Sequence, residues 1–73
     1  MSRSPQKTWK FDDWLKAWVF GTSEDGGAVF LSESLWCGNV VVDGKVYGVG
    51  NHDTKEEAMV EVEETYNSLR SQD

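Results

Sequence analysis

Phe11, Trp14, Leu15, Trp18 and Val19 recur at i, i+3, i+4, i+7 and i+8, the spacing of one face of an amphipathic helix. That helix starts near Thr8, or near Ser4 with Pro5 in its first turn, and Gly21 is its natural stop. Trp14 and Trp18 then point to the core, and Trp9, off the centre of the stripe, is left for the surface. Residues 22–27 read as a loop by composition. From Ala28 onward the pattern changes to short β-type runs at 28–31, 36–42 and 45–50, with a tight turn at 32–34. Asp43-Gly44 between the last two runs is a strong hairpin signal, because both residues tolerate the positive φ of a type I′ turn. The turn fixes a register: Val42 opposite Lys45, Val40 opposite Tyr47, Gly38 opposite Val49. One sheet face then carries Trp36, Val40, Val42, Tyr47 and Val49. The other carries Cys37, Asn39, Val41 and Val46.

Periodicity returns to the helical kind at 54–69. Ala58, Val62, Tyr66 and Leu69 follow at steps of 4, 4 and 3, with Met59 and Thr65 beside them. Asp53 or Thr54 serves as N-cap, and each has a glutamate three residues on (Glu56 or Glu57) to form a capping box. The outer face of this helix carries Glu57, Glu61 and Glu64 in one row, with Glu56 and Glu63 alongside. The expected fold is therefore α+β: one small α-β-β-β-α domain over 8–69, a three-stranded antiparallel sheet with both helices on one face. Residues 1–7 and 70–73 are polar and expected to fray. Both helices on one face leave Val41 and Val46 on an open face, an apolar patch suited to contact or weak self-association.

Composition narrows the chemistry. With 73 residues the chain is near the lower limit for a self-sufficient core, and its four tryptophans, three phenylalanines and two tyrosines help to fill it. No apolar run is long enough to span a membrane, and the first residues lack a signal peptide's hydrophobic segment. A lone Cys37 forms no internal disulfide and suits a reducing, cytoplasmic setting. The net charge is −6, and all of the excess lies beyond residue 20. Phosphate contacts need clustered Lys and Arg, so direct nucleic-acid binding is disfavoured.

Nothing in the residue inventory assembles a catalytic or metal centre. His52 and Asp53 adjoin in a turn with no hydroxyl or thiol at a productive spacing, and together with Cys37 they make no metal-ligand pattern. The carboxylates of the last helix lie on an open face, whereas a general acid needs an apolar enclosure. Gly48-Val-Gly50 lacks the third glycine of a phosphate loop and precedes acids that repel phosphate. No enzyme, cofactor or metal is expected.

The order helix, three strands, helix, together with residues 36–69, resembles a double-stranded RNA-binding domain. Gly44, Gly48 and Gly50 match that family's Gly-x-x-x-Gly-x-Gly spacing, and Thr54-Lys-Glu-Glu-Ala-Met59 aligns with its Ser-Lys-Lys-x-Ala-Lys motif. The resemblance covers about half the chain and implies the αβββα topology. Of the family's three phosphate-binding lysines only Lys55 has a counterpart; Glu56 and Met59 stand at the others, and no Gly-Pro-x-His is present. What carries over is topology, with an RNA-contact role for Lys55 alone.

Two functional expectations follow. The first is a small acidic inhibitor, using Glu56, Glu57, Glu61, Glu63 and Glu64 to occupy the basic groove of a nucleic-acid-handling protein. Those five glutamates span about 13 Å of helix, a charge density near that of a single nucleic-acid strand at about one charge per 3.4 Å. In type, though not in motif, such a chain is similar to small phage anti-CRISPR and anti-restriction proteins. The second is a degenerate RNA-binding-type domain used for protein contact or dimerisation through Val41 and Val46.

Overall fold

The computed structural model describes residues 5–71. Its last two strands, β4 (Leu35–Val42) and β5 (Lys45–His52), form a hairpin. Asp43 and Gly44 both take positive φ (53° and 78°), the type I′ geometry, and Val42↔Lys45, Val40↔Tyr47 and Gly38↔Val49 pair in the expected register. β3 (Gly26–Ser32) adds to β4 through a second two-residue turn, Glu33-Ser34, whose φ values of 51° and 75° are costly for residues with a Cβ. β2 (Ala17–Gly21) pairs with β3, and β1 (Lys10–Asp12) with β2. The result is a five-stranded antiparallel meander in the order β1-β2-β3-β4-β5, followed by one helix, α1 (Lys55–Arg70).

This overturns the expected α-β-β-β-α fold with two helices on a three-stranded sheet. Residues 10–21 form a hairpin in place of the first helix. The helical spacing is real but has a second solution. With a four-residue connection at 13–16, the i and i+7 residues Phe11 and Trp18 become cross-strand partners, their rings edge to face at 5.5 Å. Asp12 caps the connection, its Oδ1 accepting from the backbone N–H groups of Trp14 (2.9 Å) and Leu15 (3.0 Å), and Lys16 closes it at φ 56°. Trp14, assigned to the core by the helical reading, sits with Leu15 in the turn and is 91% exposed. Ala-Trp-Val-Phe suits a strand better than a helix, and β3 supplies the partner that makes the strand worthwhile. Gly21 ends β2 at φ 76° as a turn residue, not a helix stop.

α1 lies across β3, β4 and β5. Thr54 is its N-cap, with Oγ1 accepting from the Glu57 N–H at 3.2 Å and donating to the Glu57 carboxylate at 3.1 Å. The helix sits close because the sheet presents a checkerboard to it. Gly27 stands opposite Val40 and Val29 opposite Gly38. Val62 drops into the space left by the two glycines: a Cβ at Gly27 would lie 2.6 Å from its Cγ1, and its other methyl fills the place of a side chain at Gly38. Val29, Val40, Ala58 and Val62 are completely buried, and Phe20 and Met59 nearly so. Each large apolar side chain removed from water here contributes roughly 1.5–3 kcal/mol. Among the described residues no helix is long and apolar enough to cross a membrane.

Candidate functional site

The five glutamates expected on one outward face are divided by the fold. Glu56, Glu57 and Glu64 are exposed. Glu56 lies 3.9 Å from Lys55 Nζ, and that lysine also sits 4.2 Å above the Trp18 ring. Glu61 bonds through Oε1 to His52 Nε2, so the histidine read as a turn residue closes the end of β5 against the helix. Glu63 is 6% exposed and does not belong to the outer surface at all. Its Oε1 accepts from Gln6 N–H (2.8 Å), and its Oε2 accepts from Lys7 N–H (2.9 Å) and Trp9 Nε1–H (2.6 Å).

Glu63 therefore straps the segment before β1 onto the helix. Gln6 and Lys7, expected to fray, are held by backbone bonds to a carboxylate, and residues 1–4, 72 and 73 of the expected flexible termini lie outside the described residues. Trp9 is half-buried, not surface-directed, and its ring meets Phe20 edge to face at 4.7 Å. The sequence carried a signal for this. Met59, Val62, Glu63 and Tyr66 are spaced i, i+3, i+4 and i+7, so Glu63 falls on the buried stripe.

At the helix's far end Tyr66 donates its hydroxyl to Asp25 Oδ1, and Arg70 Nη1 donates to Asp25 Oδ2. The hydrogen bond to Asp25 raises the tyrosine pKa above its ordinary 10.0, burial and the Asp25 charge add to the rise, and Arg70 opposes it. This cluster fastens the β2–β3 turn to the helix. The same turn meets the β4–β5 turn, where Gly44 N–H donates to the Glu24 carbonyl at 3.1 Å.

The single helix leaves the other sheet face uncovered. A cleft of about 390 Å³ runs along it, lined by Leu15, Val19, Ala28, Asn39, Val41 and Val46 among others. Val19, Ala28 and Asn39 stand in register across three strands of its lining, and Val41 and its partner Val46 adjoin them. Leu15 overhangs from the β1–β2 turn. Val46 is 67% exposed and Leu15 60%, so an apolar surface faces water. The open-face patch anticipated at Val41 and Val46 is the β4–β5 side of this cleft. Leu15 and Val19 were missed because a helix at 10–21 would not have placed them there; the β-type composition of 17–21 was the available signal.

Among the described residues no three His, Cys, Asp or Glu side chains converge as metal ligands, and Cys37 shares its thiol proton with Asn51 Oδ1 at 3.1 Å. Compared with known proteins, the chain matches no family model, no curated protein and no solved structure.

Proposed function

We propose that this chain is a non-catalytic protein-binding module that receives its partner in the open-face cleft. The observation that carries the reading is the cleft itself, an apolar depression of about 390 Å³ on a sheet face that the helix does not cover. Ligand and peptide sites are concave, mostly apolar and edged by a few polar groups, and Asp12, Thr22 and Asn39 supply that edge. The net charge of −6 sets the complementary chemistry: an apolar segment flanked by Lys or Arg. A reducing, cytoplasmic setting for Cys37 belongs to the same proposal.

The test uses short peptides that share apolar residues and differ only in whether basic or acidic residues flank them. Titrated against the labelled protein, the basic set shifts the amide resonances of Val19, Ala28, Asn39, Val41 and Val46, and Val41→Lys removes those shifts while preserving the fold. No shift at the cleft with any peptide would sink the reading.

A second reading is supported by the exposure of Glu56, Glu57 and Glu64 on the helix. In it the chain is an acidic inhibitor that occupies the basic groove of a nucleic-acid-handling protein. Glu63 has no part in that surface, and Glu61 joins it only by releasing His52. Salt-sensitive competition with nucleic acid, lost when Glu57, Glu61 and Glu64 are changed together to Gln, is its expected signature.

A further inference from the structure

The two edges of the sheet are unequal. β1 is three residues long and β5 eight. Short edge strands resist pairing with other chains, and long flat ones invite it. In a hairpin closed by a two-residue turn, the pair next to the turn exchanges both backbone hydrogen bonds. Here that pair is Val42 and Lys45. Lys45, Tyr47 and Val49 consequently direct their N–H and C=O groups at β4, and Val46 and Gly48 direct theirs away from the sheet. Farther along, Cys37 alone lies opposite both Gly50 and Asn51, a β-bulge that ends the regular edge. A flat segment remains at 45–49.

We propose that this segment pairs antiparallel with the same segment of a second copy, about a two-fold axis at Tyr47. Val46 then stands opposite Gly48 of the second copy, and Gly48 opposite its Val46. These two pairs use every outward backbone group of the four residues. The side chains fit the same register. Val46 is 67% exposed, and a Cβ built on Gly48 meets nothing within 4 Å, so the valine of each copy lies over the bare glycine of the other. On the helix side Tyr47, 38% exposed, meets its symmetry mate in a non-hydrogen-bonded pair, where Cα atoms approach to about 4.5 Å and rings pair readily.

Charge agrees as well. Lys45 falls opposite Val49, and no like charges oppose one another within the segment. Any extended strand would satisfy the outward N–H and C=O groups, but the alternation of large with absent side chains about a single residue is self-complementary, which selects a second copy. Cross-strand partners share a face, so two five-stranded sheets become one of ten. Both helices lie on one side of it and both clefts on the other. The pairing does not depend on what the clefts bind.

Sedimentation across a concentration series, with the wild type and three variants, tests the proposal. Proline is tolerated on an edge strand where its N–H would face solvent, so Gly48→Pro retains the fold but loses the outward donor. Tyr47→Lys opposes two ammonium groups across the axis. Val41→Lys alters the open face and leaves the edge intact. Expected are concentration-dependent dimers of the wild type and of Val41→Lys, and monomers of Gly48→Pro and Tyr47→Lys with unchanged circular dichroism. If Gly48→Pro fails to fold, Tyr47→Lys carries the comparison alone. A wild type that stays monomeric up to near-millimolar concentration overturns the proposal. So does a dimer that survives both edge variants, or one that only Val41→Lys dissolves.

Discussion

A carboxylate almost withdrawn from water has to be compensated where it sits, and Glu63 is compensated by two backbone N–H groups and an indole N–H from a segment more than fifty residues away. Charge-assisted bonds of this kind are stronger than neutral ones. Removing the acceptor frees the strap to be hydrated, so Glu63→Ala is expected to cost about 2–3 kcal/mol. In a domain whose whole stability is on the order of 5 kcal/mol, that is a large share. Urea unfolding measures the loss, and fast amide exchange at Gln6 and Lys7 locates it. Tyr66 gives a pH-dependent counterpart. Its raised pKa means that the folded chain holds the phenolic proton more tightly than the unfolded chain does. The associated stabilisation is complete below the ordinary value of 10.0 and is lost as pH rises through the raised one. The wild type should therefore lose stability steeply as pH climbs from 10.0 to the raised value, and Tyr66→Phe should abolish that slope.

The elements carry the lesson about legibility. The β4–β5 register was readable from the turn as far as Gly38 and Val49, because Asp43-Gly44 permits one turn type and that turn sets the pairing; the bulge beyond it left no such signal. The last helix was readable because its cap and its stripe agree. Residues 10–21 were not, since a hairpin with a four-residue connection and a helix both bring Phe11 and Trp18 together. What decides between them is β3, whose free edge gains a partner if 17–21 is extended; that is a tertiary term, invisible in a local window. The cleft inherited the error, as Asp12, Leu15, Val19, Phe20 and Gly21 of its lining come from the misassigned segment. The β3–β4 turn adds a prediction of its own. Glu33 and Ser34 both hold positive φ without being glycine or asparagine. Ser34→Gly relieves one such position and is expected to raise stability by roughly 0.5–1 kcal/mol, read as a higher urea midpoint at unchanged slope.

Among the described residues, the acidic face of the helix and the cleft are set apart. The exposed glutamates of the helix lie on one side of the sheet and the cleft on the other. A partner in the cleft is held by desolvation, and the field of a chain of charge −6 governs how fast it arrives. Raising salt should slow association of a basic peptide far more than it speeds dissociation, which stopped-flow mixing resolves. The helix glutamates would then act at a distance, as steering charge.

The strap has a bearing on how the protein is made. A ribosome delivers Gln6 a full 57 positions ahead of Glu63, so the donors emerge long before their acceptor exists. The meander can zip as each hairpin appears, every strand finding its neighbour in the stretch just completed. Only the opening residues have to wait, and the loop that closes upon them spans 57 positions. A nascent chain stalled short of the helix would expose Trp9 and the floor under Val62, a hydrophobic window through which a chaperone or a protease could tell unfinished copies from finished ones.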